Sequence, residues 1–377
     1  MTKKSNLTYV FGAGRIERLN SNNLKAKEFF YGYDYLASKY EVDLIEMEFP
    51  NSKKNLLYYI DKVLRKLTNL PIYFKDILDF KNILRISKSD KVIFTTELLL
   101  LSMLPVVLIL KIFKKIDIYV IVMGLFGRKE NNKLISLFQK FYINIFLLVS
   151  KKVFFLGKGE IIEAEKKWKI YSNKFTFLPF SIDYSFWSNK ENLEKDKNKI
   201  LFIGNDGKRD YDLILKIAEQ LPDLEFVFIT SQINKRDLKS SNVTLIKGKW
   251  NENYLTDVEI KQHYTNSVMT LIPLKNSYQP SGQSVCLQSM ACGTPVLISK
   301  TNGFWDIENF KNNTNIIFIN DNALNTWVHI IKKTFNDKNL LNKLSKNGKT
   351  LVKRRYNLNV FNKLLEENLD FLKINEY

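Results

Sequence analysis

The sequence predicts an α/β protein that folds into two doubly wound parallel sheets. Three observations support this fold class. Apolar runs of strand length alternate with amphipathic helical runs, several of the strand-like runs end in glycine turns, and one charged segment interrupts the alternation near the middle of the chain. Such alternation is typical of parallel strands joined by crossover helices. A length of 377 residues is sufficient for two domains with separate cores.

The first half begins with the strand pattern "LTYVFGAG", followed by the helix pattern "NNLKAKEFFYGYDYLASKY" (residues 22–40) and the strand pattern "EVDLIEMEF". Further strands are predicted at "KVIFTT", "IDIYVIVMG", "KKVFFLG" and "FTFLPF". The most apolar run, "LLLLSMLPVVLIL" at residues 98–110, contains Pro105 and is too short for a bilayer core about 30 Å thick. We interpret it as a buried helix. The alternative is an edge that dips into lipid, because the basic segment "KIFKK" follows directly.

The charged segment "NKENLEKDKN" at residues 189–198 is the predicted linker. After it, strands are predicted at "KILFIG", "LEFVFIT", "VTLIKG", "VMTLIPL" and "NIIFI", with helices at "YDLILKIAEQL", at "DVEIKQHYTNS" and at the C-terminus. The predicted domains are residues 1–185, residues 186–355 and a closing helix at residues 356–377. Ligands of doubly wound sheets bind outside the carboxyl ends of the strands, so we expect the site in a cleft between the two halves.

Composition limits the class of protein and its compartment. A hydrophobic fraction of 45% argues against disorder, and a net charge of +19 favours nucleic acid, an anionic membrane face or a small anionic substrate as partner. A lysine-rich coding bias is the alternative explanation. Cys286 and Cys292 would lie about 9 Å apart along one helix, too far for a disulfide, and two buried thiols indicate a reducing cytoplasm. No metal site is expected with two histidines and no Cys/His cluster, and the N-terminus lacks a signal-peptide pattern.

The turn after the strand "KILFIG" has the composition of a phosphate site. Gly204 and Asn205 begin it, and Lys208 and Arg209 end it at the start of a predicted helix. Glycines let backbone amides approach an anion, and basic side chains add full charges to the positive end of the helix dipole. The predicted ligand is a phosphate or diphosphate. The alternative is an ordinary strand-to-helix turn with exposed basic residues.

The segment "SYQPSGQSVCLQSMACGTPVLIS" predicts a second wall of this site, in which a hydroxyl-rich loop leads into a helix and a buried strand. Its polar side chains are neutral, which suits sugar hydroxyls beside a diphosphate that already carries negative charge. A glutamine amide can both donate to and accept from a hydroxyl. The predicted donor-binding residues are Ser281, Gly282, Gln283, Ser284 and, about one turn along the helix, Gln288.

The first half offers two further candidate groups. Gly12, Gly14 and Arg15 form a turn after the first strand, predicted as an acceptor or phosphate loop; it lacks the full three-glycine dinucleotide spacing. The alternative is a tight turn that lets two domains approach. Glu97 ends "KVIFTTE" and Gly124 follows "IYVIVM", and both are expected on the cleft rim, where a carboxylate can act as a base. The alternative for Glu97 is an exposed or salt-bridged side chain.

A family resemblance emerges from these segments. In order, "FIGNDGKRD", "VTLIKGKW", "VMTLIPL", "PSGQSVCLQSMACGTPVLIS" and "NGFWD" resemble the C-terminal half of retaining glycosyltransferases of the GT-B fold, close to the family 4 (group 1) type. "LPFSIDYSFW" is similar to the family's hinge, and "KRRYNLNVFNKLLEENLDFL" to its closing helix, which usually crosses back to the first domain. The resemblance covers residues 175–372 and is topological before them. It implies two Rossmann-like domains, with the acceptor bound by the first and the nucleotide sugar by the second.

The resemblance also implies residue roles. In the family, two glutamates separated by seven residues contact the donor sugar and the ribose; the matching positions here are Pro280 and Gln288, so both carboxylates are replaced. Sugar contact is then expected from Ser281, Gln283 or backbone amides. Lys208 and Arg209 lie near the places of the family's diphosphate-binding Arg and Lys, with altered spacing. The family's frequent N-terminal histidine has no counterpart, because no histidine precedes His263.

The implied reaction is transfer of a sugar from a nucleotide-diphosphate sugar to an acceptor hydroxyl, with retention and without a metal or cofactor, in which Lys208 and Arg209 stabilise the departing diphosphate. Charge and family together suggest a glycan or lipid-linked acceptor at an anionic membrane surface, as in bacterial lipopolysaccharide, O-antigen or capsule synthesis. We therefore expect a cytoplasmic protein, peripheral on the inner face of the cytoplasmic membrane. One alternative is a non-catalytic GT-B protein that binds a nucleotide sugar or glycan. The other, a nucleic-acid-binding protein, lacks the usual motifs, so no nucleic-acid partner is expected.

Overall fold

The computed structural model describes residues 6–21, 24–47, 56–77, 79–128, 132–188, 198–248 and 255–371. Most of the predicted linker, residues 189–197, lies outside this part of the chain. The described residues belong to two compact units. The first falls within Met1–Ser21, Phe30–Leu178 and Asn362–Tyr377, and the second within Asn22–Phe29 and Pro179–Phe361.

The first unit is built on a six-stranded parallel sheet with the order β2-β1-β3-β4-β5-β6. Its central strands are mostly apolar and almost entirely buried, as parallel strands covered by helices require. The strands are β1 Leu7–Gly12, β2 Val42–Met47, β3 Lys91–Phe94, β4 Asp117–Val122, β5 Ser150–Phe155 and β6 Phe175–Phe177. The helices are α1 Arg15–Asn20, α2 Tyr33–Ala37, α3 Leu56–Thr68, α4 Phe74–Ile77, α5 Phe80–Lys88, α6 Glu97–Phe113, α7 Lys133–Val149 and α8 Lys158–Lys167, with a 3-10 turn at Lys169–Lys174.

The helix predicted over residues 22–40 is wrong. Residues 24–27 carry no regular structure, Glu28–Phe30 is a single 3-10 turn, and only Tyr33–Ala37 is α-helical. Two residues with positive φ, Tyr31 (47°) and Gly32 (80°), separate the 3-10 turn from the helix. A right-handed helix cannot continue through such residues, so the chain bends where it passes from the second unit to the first.

Helix α6 accounts for the most apolar run of the sequence. Six of its large apolar side chains are buried, which confirms a buried helix for the part up to Val107, whereas Ile109, Ile112 and Phe113 at its end are exposed. Pro105 has no N–H for the carbonyl of Leu101 one turn earlier; the hydroxyl of Tyr142 in α7 donates to that carbonyl at 3.0 Å. No helix within the described residues has both the length and the apolar character needed to cross a membrane.

The second unit repeats the architecture with a six-stranded parallel sheet in the order β12-β11-β10-β7-β8-β9. Both cysteines are buried in this unit, and neither forms a disulfide. Its strands are β7 Lys199–Ile203, β8 Glu225–Ile229, β9 Val243–Ile246, β10 Met269–Ile272, β11 Val296–Ser299 and β12 Ile317–Ile319. Its helices are α9 Tyr184–Trp187, α10 Tyr211–Gln220, α11 Asp257–Thr265, α12 Gln283–Ala291, α13 Leu324–Asn336, α14 Lys338–Arg355 and the start of α15 Leu358–Asn368, whose end lies in the first unit.

In each sheet, the predicted glycine motif lies where the strand order reverses. The order reverses between β1 and β3 in the first unit and between β7 and β10 in the second. Ligands of open α/β sheets bind at such switch points, outside the carboxyl ends of the strands. The turn that contains Gly12 and Gly14 follows β1, and Gly204 follows β7. The predicted two doubly wound domains are therefore confirmed, and each has its glycine turn at its own switch point.

The C-terminal helix is anchored within the first unit by Glu366. Its carboxylate accepts hydrogen bonds from the hydroxyls of Tyr35 (2.6 Å) and Tyr40 (2.9 Å) and from the ammonium of Lys39 (2.9 Å). The hydroxyl of Tyr119 in β4 donates to the carbonyl of Leu369 at 3.2 Å. The described part of the C-terminal helix is thus held in the first unit through side chains.

Candidate active site

The loop after β7 is shaped by the side chain of Arg209, which folds back over Gly204. A Cβ atom at position 204 would lie 2.4 Å from Nε of Arg209, so only glycine leaves room for the guanidinium. Arg209 is 3% exposed; its Nε donates to the carbonyl of Ile203 (3.3 Å) and its Nη1 to Oδ2 of Asp206 (2.8 Å). The loop therefore holds a buried cation at the carboxyl end of the central strand.

The carboxylate of Asp206 binds the backbone amides that the sequence analysis predicted to bind an anion. Its Oδ1 accepts hydrogen bonds from the amides of Lys208 (2.9 Å) and Arg209 (3.1 Å). The Asp206 side chain is 42% exposed, and the Lys208 side chain is half-buried. A carboxylate of the protein itself thus takes the place of an anion in this turn, held by two amides and one guanidinium.

Asn205 joins three loops of the second sheet. Its Oδ1 accepts from the amide of Ser231 after β8 (2.6 Å) and the hydroxyl of Thr230 (3.2 Å), and its Nδ2 donates to the carbonyl of Gly248 after β9 (2.6 Å). Both ends of the predicted donor-binding amide are therefore engaged in holding the loops together. Sequence reasoning did not predict this role, because Gly248 lies 43 positions away.

The loop after β10 lies beside the loop after β7. The amide of Asp210 donates to the carbonyl of Pro273 (3.0 Å), and the amide of Lys275 donates to the carbonyl of Lys208 (2.8 Å). Asn322, after β12, donates to Asp210 (3.2 Å) and to the carbonyl of Leu274 (2.7 Å). Loops from three strands thus form one continuous surface at the switch point of the second sheet.

The predicted donor-binding loop leads directly into α12 from this surface. Gly282, the residue before the helix, has φ +77°, and a Cβ there would also lie 2.9 Å from Ile272, so the position requires glycine. Ser281 and Ser284 are half-buried, and Gln283 is 8% exposed. The structure therefore brings Ser281, Gly282, Gln283 and Ser284 to the same sheet edge as Gly204, Asn205, Lys208 and Arg209.

Gln288 lies deeper in α12 and belongs to a buried cluster around Glu28. Its Nε2 donates to Oε1 of Glu28 at 2.8 Å, and its Oε1 accepts from the hydroxyl of Tyr264 at 3.1 Å. Glu28 also accepts from Nε1 of Trp187 (2.8 Å) and the amide of Asp183 (3.2 Å). Burial raises the pKa of Glu28 to about 7, although these donors favour its charged form.

The Glu28 cluster explains why a glutamine stands at position 288. A glutamate there would place a second carboxylate within hydrogen-bond distance of Glu28 in a buried site, where two negative charges repel strongly. Glu28 reaches this position because residues 24–29 belong to the second unit, where the amide of Ala26 donates to Asp257 (2.8 Å). Sequence reasoning missed Glu28, since no local pattern links it to a residue 260 positions later.

In the first unit, the predicted turn after β1 is held by Glu46 of β2. Its carboxylate accepts hydrogen bonds from the amides of Gly14 (2.8 Å) and Ile16. Burial lowers the pKa of Arg15, while the nearby charge of Glu46 raises it. Gly12 has open space around the position of a Cβ, so no steric demand explains this glycine. As in the loop after β7, a carboxylate of the protein binds the amides of the turn.

Glu97 is buried at the carboxyl edge of the first sheet, so the exposed side chain of the alternative interpretation is wrong. It is 7% exposed, begins α6, and its Oε2 accepts from the amide of Met123 at 3.0 Å. Glu160 of α8 is fully buried next to it and accepts from the amides of Gly124 and Phe126, each at 2.9 Å. Burial, and then the charge of Glu97, raises the pKa of Glu160 to about 8; burial also raises the pKa of Glu97. The two carboxylates together fix the loop after β4.

Within the described residues, no group of three or more His, Cys, Asp or Glu side chains is arranged to hold a metal ion. The chemistry available at the second sheet edge is thus a buried guanidinium, lysine ammonium groups and a set of hydroxyls, amide side chains and backbone amides. Such groups bind phosphate oxygens and sugar hydroxyls. Glu97, Gly12, Gly14 and Arg15 lie at the corresponding edge of the first sheet.

Solved structures share this fold over almost the whole chain. HepE (Alr3699) of Anabaena, in complex with UDP-glucose, has a TM-score of 0.67 at 11% identity and covers 96% of this chain and 99% of its own. Sucrose-phosphate synthase of Thermosynechococcus elongatus has a TM-score of 0.69 at 13% identity, with 98% and 99% covered. WaaG, a glycosyltransferase involved in lipopolysaccharide biosynthesis, has a TM-score of 0.58 at 13% identity, with 99% and 100% covered.

Sequence comparison finds a family model that matches part of the chain. No curated protein sequence matches the chain significantly. The model of the family "Glycosyl transferases group 1" matches residues 183–351, which contain the loops after β7 and β10 and helix α12. The chain has the GT-B fold, and its residues 183–351 are similar to the glycosyl transferases group 1.

Proposed function

We propose that the protein is a glycosyltransferase that moves a sugar from a nucleotide-diphosphate sugar to an acceptor hydroxyl. One observation carries the proposal: the segment that matches the group 1 family brings a buried arginine, a lysine and a hydroxyl-rich helix start to the switch point of its sheet. A diphosphate flanked by ribose and sugar fits this combination of cationic and neutral polar groups. HepE, which has the same fold, is known in complexes with UDP-glucose and with UDP.

The diphosphate binds beside Arg209 and Lys208. Arg209 is held in place by Ile203 and Gly204 before any ligand arrives, so its charge needs no reorganisation when negative charge develops on the departing diphosphate. In the absence of ligand, Asp206 pairs with the guanidinium of Arg209. Because Asp206 is partly exposed, the phosphate can displace its carboxylate from this pair. Ser281, Gln283, Ser284 and the amides of the α12 start hydrogen-bond the sugar and ribose hydroxyls.

The reaction we propose needs no metal and retains configuration. The acceptor hydroxyl attacks from the face that the diphosphate leaves, its oxygen forms the new bond to the anomeric carbon, and the leaving phosphate takes the proton. The acceptor binds at the edge of the first sheet, near the turn of Gly12, Gly14 and Arg15. Glu97 is the carboxylate of that edge predicted to take part, and its raised pKa would favour holding rather than releasing a proton.

The acceptor we propose is a glycan or a lipid-linked glycan of a bacterial cell-surface polysaccharide, used on the inner face of the cytoplasmic membrane. A net charge of +19 supports an anionic surface as partner. The similarity of fold to WaaG is consistent with such an acceptor.

A thermal-shift experiment with UDP, GDP, ADP and CMP tests the donor site. A nucleotide at a hundred times its dissociation constant stabilises the folded state by about 2.7 kcal/mol, which raises the midpoint by several degrees. We expect one nucleotide to do so, and Lys208→Ala/Arg209→Ala to abolish the shift. The matched control is Lys332→Ala/Lys333→Ala, which removes two exposed lysines of α13. If no nucleotide shifts the midpoint, or both variants lose the shift equally, the proposed site is wrong.

A second candidate is a non-catalytic protein that binds a nucleotide sugar or a glycan. The observation that favours it is the replacement of both family glutamates, with Gln288 engaged by Glu28 and Tyr264 instead. The nucleotide that stabilises the protein identifies the donors to test. Release of nucleotide from any of these sugars, by transfer or hydrolysis, eliminates this candidate.

A further inference from the structure

Helix α3 carries an apolar stripe on its outer surface. Leu56, Tyr59, Ile60 and Val63 are 75%, 55%, 38% and 55% exposed, and they follow the i, i+3, i+4, i+7 spacing of one helix face. A helix at the surface of a soluble domain ordinarily turns its apolar face to the core and its polar face to water. Here an apolar face of α3 points outward.

Helix α7 repeats the pattern at the same spacing. Leu134, Leu137, Phe138 and Phe141 are 59%, 64%, 40% and 62% exposed. The opposite side of α7 is buried in the core through Ile143, Phe146, Leu147 and other residues. The exposed stripe is therefore additional to the apolar face that packs α7 onto the sheet.

The two stripes belong to neighbouring helices. The side-chain amide of Gln139 in α7 donates to the carbonyl of Thr68, the last residue of α3, at 3.1 Å, and Gln139 is buried. We call these eight side chains the two-helix face: Leu56, Tyr59, Ile60, Val63, Leu134, Leu137, Phe138 and Phe141. Among the described residues, 17 of the 20 exposed large apolar side chains lie in the first unit, so this exposure is not a general property of the chain. Apolar patches of this kind mark interaction sites.

The charges on the two helices are cationic. Lys62 and Lys66 of α3 are exposed, as are Lys133 and Lys140 of α7. Helix α7 contains no acidic residue, and the single acid of α3, Asp61, is 2% exposed because it accepts from the amides of Phe74 (2.9 Å) and Lys75 (3.1 Å). Apolar side chains beside lysines, without exposed acids on either helix, complement an anionic lipid surface. The apolar side chains enter the membrane interface, and the lysine ammonium groups reach the lipid headgroups.

We propose that the two-helix face docks the protein onto an anionic lipid bilayer surface. The inference deepens the proposed function, on which its biological meaning rests, by assigning the membrane contact to α3 and α7. The apolar run of residues 98–110 is not this contact up to Val107, since six large side chains of that part are in the core. A second copy of the chain is the competing occupant, and the experiment distinguishes the two.

The experiment is cosedimentation of the full chain with phosphatidylcholine vesicles, with and without phosphatidylglycerol. We expect binding only with phosphatidylglycerol, weakened by salt. Lys133→Glu/Lys140→Glu lowers the partition coefficient by at least about 20-fold. Leu137→Glu/Phe141→Glu lowers it comparably by removing apolar contact. Both residues of the second variant are more than half exposed, so the core is preserved, and the thermal midpoint without lipid verifies this.

Matched controls separate this face from general charge. Lys332→Glu/Lys333→Glu makes the same change in net charge on α13, and Ile307→Glu alters an apolar side chain that is 43% exposed in the second unit; both variants should bind like the unaltered protein. The proposal is overturned if the unaltered protein stays in the supernatant, or if the controls lose binding equally. It is also overturned if the protein is a dimer without lipid and Leu137→Glu/Phe141→Glu makes it a monomer. Nucleotide-induced thermal shifts of the same proteins report on the donor site independently, so failure of one proposal is distinguishable from failure of the other.

Discussion

The carboxyl ends of the two sheets each contain a switch point, but their loops are held with different chemistry. In the first unit, carboxylates accept hydrogen bonds from the loop amides. In the second, neutral amide and hydroxyl side chains do most of this work, while Asp206 is paired with Arg209 and Asp210 accepts from Asn322. The carboxylates of the first edge are Glu46, Glu97 and Glu160, and the neutral side chains of the second are Asn205, Ser299 and Asn322.

This difference separates two kinds of ligand. The proposed diphosphate would be attracted to the second edge by a preorganised guanidinium. At the first edge it would meet amides that are already bound to carboxylates and would be repelled by the charge of Glu46. A neutral acceptor hydroxyl meets no such repulsion. Electrostatics thus supports the proposed division, with the donor at the second sheet and the acceptor at the first.

The largest expected effect comes from removing the cation of the second edge. Arg209→Ala should lower the transfer rate by a factor on the order of 10² to 10³, because a preorganised charge that stabilises the leaving group is lost. Arg209→Lys keeps the charge but lacks the planar guanidinium, so its transfer rate should lie between those of Arg209→Ala and the unaltered protein. Steady-state kinetics measures both, with Arg236→Ala as the control, since Arg236 is 86% exposed. A rate for Arg209→Ala equal to that of the control contradicts the assignment.

Adding an acid to the second unit tests the Glu28 cluster. Gln288→Glu should destabilise the fold by about 3 kcal/mol above pH 7, where Glu28 and the new carboxylate would both be charged. The loss should shrink at lower pH, since the pair can then share a proton. Denaturant unfolding at two pH values measures this. The swap Glu28→Gln/Gln288→Glu restores one acid and one amide and should recover most of the stability; a swap as unstable as the single variant would exclude direct pairing.

Removing an acid from the first unit changes how stability depends on pH. The ordinary pKa of a glutamate is 4.5, and that of Glu160 is raised to about 8. Between these values the folded state holds a proton that the unfolded state has lost, so Glu160 makes stability fall as pH rises, by at most about 1.4 kcal/mol per pH unit. Glu160→Gln should flatten this slope in urea unfolding. Glu165→Gln, an exposed position on the same helix, should leave the slope unchanged.

The smallest expected effect is at Asp206. Asp206→Asn keeps an oxygen acceptor for the amides of Lys208 and Arg209 but removes the charge that competes for the guanidinium. We expect nucleotide diphosphates to bind a few-fold more tightly, measured by calorimetry. Weaker binding would mean that Asp206 positions Arg209 rather than competing with the ligand.

Fold class and motif position were predictable because their signals are local. Buried parallel strands are continuous apolar runs, and glycine turns follow them in the sequence, so the loops of Gly12, Gly14 and Gly204 could be placed at strand ends. The helix predicted over residues 22–40 was wrong for the opposite reason: its apolar residues fit a helix, but residues 24–29 pack into a different unit from the residues that follow Phe30. Periodicity contains no information about which unit a residue joins.

The sequence by itself determined the alternation of strands and helices, the two sheets and the residue types available near each switch point. Only the tertiary structure decided which of these residues hold the fold and which face a ligand. Gln288 donates a hydrogen bond to Glu28, and Asn205 donates one to the carbonyl of Gly248. Tyr142 donates to the carbonyl of Leu101, which has no helical partner because Pro105 lacks an N–H. Each pair is distant in sequence, so the hydrogen bond between its members exists only after the chain has folded. For this reason the sequence showed which polar residues are available, but it did not show what each of them contacts.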